Sequence, residues 1–265
     1  MSSEASEVDK KKKKKKSAKK EKADEESRII RAAKNKVLWK MVNEEAIMTE
    51  ATRTDVVKSA KNDAMREEQG MALGIKEPQA LQKETTRILH DVLMHLKEYI
   101  RPHINSTFGI RLDYEEELEK SRELSRPLTR EEVRRHRMMK AKEVIEGNDH
   151  LREKPEAPIF SAKWFKDVLI EQLFNESPPL WGYVDDKNIS KALDNLFALI
   201  FSAAAVTTRD YIEGKREKKK VVMEWWRSDF LAGKKLIEEI RGDPQACKEL
   251  DSLQEWVWRQ RVVEF

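Results

Sequence analysis

One stretch, residues 189–212, limits the fold of this chain most, because it is the most apolar run in a charge-rich sequence. Its apolar residues recur at three- and four-residue steps, which predicts a helix that is apolar around most of its circumference. Asp194, Asn195 and the polar residues 207–209 leave an apolar part shorter than the roughly 20 residues of a membrane span. We therefore expect a core helix, closely approached by a neighbouring helix at the three alanines 203–205.

Composition points to a mainly α protein. Charged residues make up 38% of the 265 positions, and only 8 Gly and 8 Pro are present, which argues against loop-rich β structure and glycine-loop nucleotide enzymes. Abundant Lys, Glu, Ala and Leu favour helices. The single cysteine, Cys247, leaves no internal disulfide and no cysteine-based zinc site, and it is typical of a reducing compartment. We expect no secretory signal and a cytoplasmic location, with nuclear and cytoskeletal or ciliary locations as alternatives.

Residues 1–26 form a polybasic tail. Ten lysines and seven acidic residues give this segment a net charge of +3, so the other 239 residues carry only +1 of the total +4. Nothing in the segment offsets the entropy of ordering, which predicts disorder. The candidate residues for contact with an anionic partner are Lys10, Lys11, Lys12, Lys13, Lys14, Lys15, Lys16, Lys19 and Lys20. A solvated, solubilising tail is the alternative.

Residues 27–147 read as an extended helical arm. A thin apolar stripe with drifting spacing predicts a long helix over 24–69, which either lies along a partner or breaks near 52–55. Val37 and Met41 of that stripe are candidate contacts with a protein partner. A strongly amphipathic helix is expected over 79–100 and ending at Pro102, and a short charged helix over 114–124.

Thr129 and Glu132 form a capping box that predicts a helix over 130–146, followed by Gly147. This helix holds the densest basic surface outside the tail, with the candidate contacts Arg130, Arg134, Arg135 and Arg137. Such a surface suits phosphates or an acidic groove. The alternative is a solvated face neutralised by the glutamates at 115–119 just upstream.

A polar, proline-containing linker is predicted at 148–160, followed by a compact, Trp-rich helical module over 161–265. The expected helices run from a Ser161 cap to Phe174, over 189–212, over 221–231, between Gly233 and Gly242, and from Pro244 onward. Trp181 and the adjacent pair Trp225 and Trp226 are candidate contacts with a protein partner. Trp181 has a second interpretation as a lid on the core, and one ring of the pair is expected to face inward.

No pattern in the sequence indicates catalysis. His90, Asp91, His95 and Glu98 share one helix, but no repeated metal-ligand motif supports a site there, and no phosphate-binding glycine loop or nucleophile motif occurs. We therefore predict no catalytic residues, no metal and no cofactor.

The sequence favours a non-enzymatic structural or adaptor subunit of an intracellular protein assembly, in which helices dock on protein partners and the tail touches an acidic surface. Coiled-coil and scaffold proteins are of this kind, and cytoskeletal and ciliary proteins carry comparable tails, which is an analogy only. A nucleic-acid-binding protein of ribonucleoprotein type, using the tail and residues 126–142, is the alternative. Weak peripheral attachment to a membrane through the tail is a third, but an integral span is not expected.

Overall fold

The computed structural model describes residues 3–69, 80–110, 114–147, 151–154, 156–175, 179–212 and 223–260. Within these ranges the chain forms nine α-helices and no strand, which confirms the mainly α prediction. The helices are α1 (Ser3–Asn43), α2 (Glu50–Gln69), α3 (Leu81–Ser106), α4 (Tyr114–Glu123), α5 (Arg130–Glu146), α6 (Lys163–Ile170), α7 (Ile189–Arg209), α8 (Met223–Gly242) and α9 (Pro244–Gln260). A π-helical turn, Glu171–Asn175, extends α6, and a 3₁₀ turn spans Leu180–Tyr183.

Two compact units divide the chain, and the first comprises residues up to Trp39 together with Glu50–His90. Its core is a thin seam of fully buried small and aliphatic side chains from three helices: Ile29, Ala33, Ala64 and Leu81. Two ion pairs flank the seam, Lys34 to Glu84 at 3.0 Å and Lys36 to Glu67 at 2.6 Å. Apolar contact and surface charge therefore hold α1 against both α2 and the start of α3.

The backbone is helical from Ser3, which differs from the disorder predicted for residues 1–26. Lys, Glu and Ala are strong helix formers, so a helix that is anchored downstream continues into the tail at little cost. The first buried side chain of α1, among those described from Lys20 onward, is that of Ile29. The described packing of α1 therefore begins at Ile29, after the lysine run in sequence.

The long helix predicted over 24–69 is interrupted at 44–49, several residues before the expected break at 52–55. The cause is tertiary, because Ala46, Ile47 and Met48 are buried in the second unit. Arg227 fixes this turn by donating to the Glu45 carboxylate at 2.5 Å and to the Ile47 carbonyl at 2.7 Å. The spacing of apolar residues could not predict this turn, because the turn depends on Arg227, which lies 180 positions from Ile47.

The second unit comprises Lys40–Thr49 and the chain from Asp91 onward, with α7 at its centre. Nearly every residue of α7 from Ala192 to Thr208 is buried, which confirms the predicted core helix. Phe197 makes edge-on ring contacts with Phe160 and Phe165, both at 5.3 Å between centroids. The aromatic residues of α6 and the preceding loop therefore close one side of α7.

The helix predicted to end near Leu231 and restart after Gly233 is instead one continuous helix, α8. Gly233 lies against α7, where a Cβ on it would come within 3.1 Å of Ala198 Cα and Phe201 Cδ1. The glycine therefore serves close helix packing and not a turn. A close approach of α8 is thus found at Ala198, and the approach expected at the alanines 203–205, of which Ala203 and Ala204 are fully buried, stays a prediction.

Two further boundaries differ from the sequence-based prediction. Helix α3 continues through Pro102 to Ser106, because Ile100 is fully buried and Lys97 is tied to Asp210, so tertiary contacts outweigh the missing amide proton. Helix α6 begins at Lys163 without a side-chain cap, and the Ser161 hydroxyl instead accepts a hydrogen bond from the Glu153 amide at 3.0 Å.

The predicted linker does not separate the two units. The described part of 148–160 lies within the second unit, where Leu151 and Phe160 are fully buried and the Ala162 amide donates to the Leu151 carbonyl at 3.1 Å. The units divide instead near residues 39, 49 and 90. Proline and polar residues marked a loop correctly, but its few apolar residues anchor it to the core.

Candidate interaction surfaces

Three of the residues predicted to contact a protein partner are buried within the chain. Val37, Met41 and Trp226 are at most 1% exposed. They cannot reach a partner while the fold is intact, which corrects the prediction for these three. These apolar residues of α1 are covered by other parts of the same chain.

Trp181 is half-buried in a stack of aromatic rings. Its ring centroid lies 5.3 Å from that of Phe174 and 5.2 Å from that of Trp258. The turn that carries it is fixed by Asn43, which donates to the Tyr183 carbonyl at 2.6 Å and accepts from the Asp185 amide at 2.8 Å. This geometry favours the interpretation of Trp181 as a lid on the core.

Trp225 has the opposite environment from Trp226, as expected for adjacent helical residues. Trp226 is fully buried against α7, whereas Trp225 is 39% exposed. Leu231, six residues after Trp225 on the same helix, is 48% exposed. We use the name outer face of α8 for its exposed residues on this side, Trp225, Ser228, Leu231, Ala232 and Lys235.

The basic helix predicted over 130–146 is α5, and its start matches the predicted capping box. The Thr129 hydroxyl accepts from the Glu132 amide at 3.3 Å, and the Glu132 carboxylate accepts from the Thr129 amide at 2.8 Å. Arg126 adds two donors to the same carboxylate at 2.7 and 2.9 Å. These hydrogen bonds, led by that from Arg126, hold the pKa of Glu132 well below its usual range.

Much of the positive charge of α5 is neutralised locally, by glutamates of the helix itself. Besides Arg126 with Glu132, Arg134 pairs with Glu131 at 3.7 Å and Lys140 with Glu143 at 2.8 Å. Arg130 and Arg135 are exposed and form no ion pair with any residue that the structure describes. Arg137 is half-buried, with its Nε atom enclosed.

Of the tail residues proposed to contact an anionic partner, Lys20 is exposed. The side chains of the other eight tail lysines, Lys10 to Lys16 and Lys19, lie outside the described residues. The Gly214–Lys220 basic stretch also lies outside them.

A cavity of about 310 Å³ opens between α4 and α5. It is lined by Lys120, Glu123, Leu124, Leu128, Glu132, Arg135, His136 and Met139. His136 is held in place because its Nε2 lies 3.0 Å from the Gly109 carbonyl oxygen and its Nδ1 lies 3.3 Å from Lys120 Nζ. A lysine only donates, so the Lys120 contact is a hydrogen bond when Nδ1 accepts and Nε2–H donates to the Gly109 carbonyl. Sequence reasoning missed this cavity; the only sign was an apolar pair, Met138 and Met139, on a charged helix.

The core of the second unit holds a polar network around Asp194. Arg241 donates to both carboxylate oxygens of Asp194 at 3.0 and 2.9 Å, and Gln254 adds a third hydrogen bond at 2.8 Å. Lys234 donates to the Asn195 side chain at 3.2 Å, and burial lowers the pKa of Lys234. The network joins α7, α8 and α9, and its hydrogen bonds are made within the fold, so it reads as structural.

Helix α7 is long and apolar enough to cross a membrane, although 72% of that stretch is buried within the fold, as in the core helix of a soluble protein. The described ranges contain no group of three or more His, Cys, Asp or Glu side chains placed to hold a metal ion. Comparisons with protein-family models, with curated proteins and with solved structures found no match.

Proposed function

We propose that this chain is a non-enzymatic helical adaptor subunit of an intracellular protein assembly. The supporting observation is the outer face of α8, where Trp225 and Leu231 are exposed on a helix whose other side is fixed to the core through Trp226 and Gly233. Tryptophan is enriched among the residues that contribute most to binding at protein interfaces. A rigid helix that presents an aromatic anchor suits docking in an apolar groove of a partner.

The lysine run of α1 provides the second contact in this proposal, with an acidic protein surface or RNA. Lys10–Lys22 contains ten lysines and one glutamate, and it precedes Ile29, the first buried side chain of α1 among those described. Seven consecutive lysines concentrate positive charge in one short segment, which suits electrostatic attraction without a fixed orientation. Cytoskeletal and ciliary assemblies, whose polymers are acidic, are examples of such partners by analogy.

A nucleic-acid-binding function is the second candidate, and the exposed Arg130 and Arg135 favour it. Opposing it are the ion pairs of Arg126, Arg134 and Lys140 with glutamates of α5, which reduce the charge that phosphates would meet. The near-neutral charge of residues 27–265 also gives little long-range attraction.

Affinity capture from cell extract, with and without nuclease, tests the proposal. The baits are the full chain, a chain lacking residues 1–26, and the variant Trp225→Ser. Trp256→Ser is the matched control, because Trp256 is a similarly exposed tryptophan on α9. Protein partners that resist nuclease, survive Trp256→Ser and are lost with Trp225→Ser would support docking through α8. Recovery of RNA alone, abolished by nuclease, would overturn the adaptor proposal in favour of the second candidate.

A further inference from the structure

The cavity between α4 and α5 is bordered by two large apolar side chains that are exposed. Met139 is 58% exposed, the highest fraction among the large hydrophobic residues that the structure describes as exposed, and Leu124 across the cavity is 46% exposed. On α5, Met139 lies opposite the buried residues Ala141 and Val144, so it points away from the core. The mouth of the cavity is therefore an apolar surface that no described element covers.

Two of the four charged side chains that line the cavity, Glu132 and Lys120, have polar partners within the chain. Glu132 is held by Arg126 and the capping box, and Lys120 Nζ lies against the His136 ring. The other two, Glu123 and Arg135, are exposed and form no hydrogen bond or ion pair with the residues described. One free acid and one free base thus border the same apolar mouth.

We propose that this surface binds a second copy of the chain in a two-fold symmetric dimer. A two-fold axis places the same patch on both sides, so residue i meets j and j meets i. A patch with one free acid and one free base is complementary to itself, with Glu123 of each copy opposite Arg135 of the other. An acidic or a basic partner would satisfy only one of the two charges. The exposed methionines meet near the axis, where their flexible side chains fill an irregular gap well. This inference does not depend on the proposed adaptor function.

A charge-swap experiment on the full-length chain tests the dimer by sedimentation velocity over a range of concentrations. Glu123→Arg and Arg135→Glu each place like charges opposite one another twice per dimer, so each is expected to weaken association at least about tenfold. The double variant Glu123→Arg/Arg135→Glu restores opposite charges and is expected to recover association to within about threefold of the natural chain. Arg122→Glu, on the opposite side of α4, is the control and should leave association unchanged.

A covalent test uses the same geometry. Cys247→Ser leaves a chain without thiols, and Met139→Cys then introduces one close to the proposed axis. We expect this variant to form a cross-linked dimer under mild oxidation, whereas a cysteine at Arg122 should not. A natural chain that stays monomeric at all concentrations would overturn the proposal, and so would a double charge variant that associates no better than the single ones. The side chains substituted on α4 and α5 are exposed and Cys247 is half-buried, and circular dichroism checks that each variant is folded.

Discussion

At the scale of single residues, Gly233 is a position where added volume meets close neighbours. A glycine inside a helix is less favourable than alanine by roughly 1 kcal/mol, so Gly233→Ala gains helix propensity. The new Cβ would however lie 3.1 Å from Ala198 Cα, a backbone atom that cannot move alone. We expect the clash to prevail, with a loss of stability of about 1 kcal/mol for Gly233→Ala and about 3 kcal/mol or more for Gly233→Leu.

Urea unfolding followed by circular dichroism measures both losses. Gly242→Ala is the matched control, since no atom lies within 4 Å of a Cβ built there at the end of the same helix. An unchanged or higher midpoint for Gly233→Leu would show that α7 and α8 are not packed at this distance.

A second residue-scale prediction concerns the buried pair of Lys97 and Asp210, whose charged atoms lie 3.0 Å apart with both side chains about 5% exposed. Removing one partner of a buried pair leaves an uncompensated charge and lowers stability by about 3–5 kcal/mol. Asp210 also lies 4.0 Å from Arg101, so Asp210→Asn strips an anion from two cations, whereas Lys97→Met leaves Asp210 with Arg101. We therefore expect Asp210→Asn to be the more destabilising change.

The order of the two single variants is the decisive result in this case. Thermal unfolding of Lys97→Met, Asp210→Asn and Lys97→Met/Asp210→Leu gives the comparison, and the double variant is expected to be milder than Asp210→Asn alone. A chain that tolerates Asp210→Asn as well as a surface substitution would contradict the buried geometry.

At the scale of elements, the capping box is expected to control the first turn of α5. Thr129→Ala removes the acceptor for the Glu132 amide and should lower stability by about 1 kcal/mol. Because the pKa of Glu132 is depressed in the fold, its contribution is present above the usual glutamate pKa and is lost only as the pH falls through its own lower value. Carboxyl NMR should therefore show Glu132 ionised at pH values that protonate an ordinary glutamate.

Arg126→Ala tests the cause of this pKa shift. It removes the largest contribution, so the titration midpoint of Glu132 should move up towards the usual range without reaching it, because the Thr129 hydrogen bonds remain. A midpoint that does not move would mean that the Arg126 pair is not formed in solution.

The elements also show which signals a sequence carries. Local chemistry placed α5 correctly, because Thr129 and Glu132 act on amides three residues away, and Asp243 starts α9 in the same way by accepting from the Gln245 and Ala246 amides. Elsewhere the predicted helix ends were wrong because tertiary contacts determine them. Gly233 looked like a stop because its partner, Ala198, lies 35 positions away, and the break after Asn43 depends on Arg227.

The interaction surfaces were harder to predict for the same reason. The apolar stripe that includes Val37 and Met41 gives the same sequence pattern whether it packs against another molecule or against the same chain. The sequence does not show which charged side chains around the cavity form ion pairs. That Glu123 and Arg135 form none with the described residues is known only from the structure. The adjacent tryptophans were the exception, since consecutive helical residues point about 100° apart and one must leave the core.

At the scale of the whole molecule, charge is divided unequally along the chain, and this division predicts how it binds a polyanion. Residues 1–26 carry +3 of the total +4, with ten lysines concentrated in Lys10–Lys22. Binding to single-stranded RNA releases counterions, so the logarithm of the affinity falls with the logarithm of salt concentration by about 0.7 per phosphate contacted. Replacing Lys10 to Lys16 by Gln keeps helix propensity and should flatten this slope by up to about five, whereas Arg130→Gln/Arg135→Gln should change it by no more than about 1.4.

Fluorescence anisotropy with a labelled oligonucleotide, titrated at several salt concentrations, measures these slopes. An acidic peptide used as a second probe should follow the same order of variants, because a lysine run without interleaved aromatic residues attracts charge and not bases. The opposite order, with the α5 variant flattening the slope and the lysine variant leaving it unchanged, would place the anion contact on Arg130 and Arg135. In that case the glutamates of α5 would have to release their arginines on binding, and the nucleic-acid function would replace the adaptor as the better account of this chain.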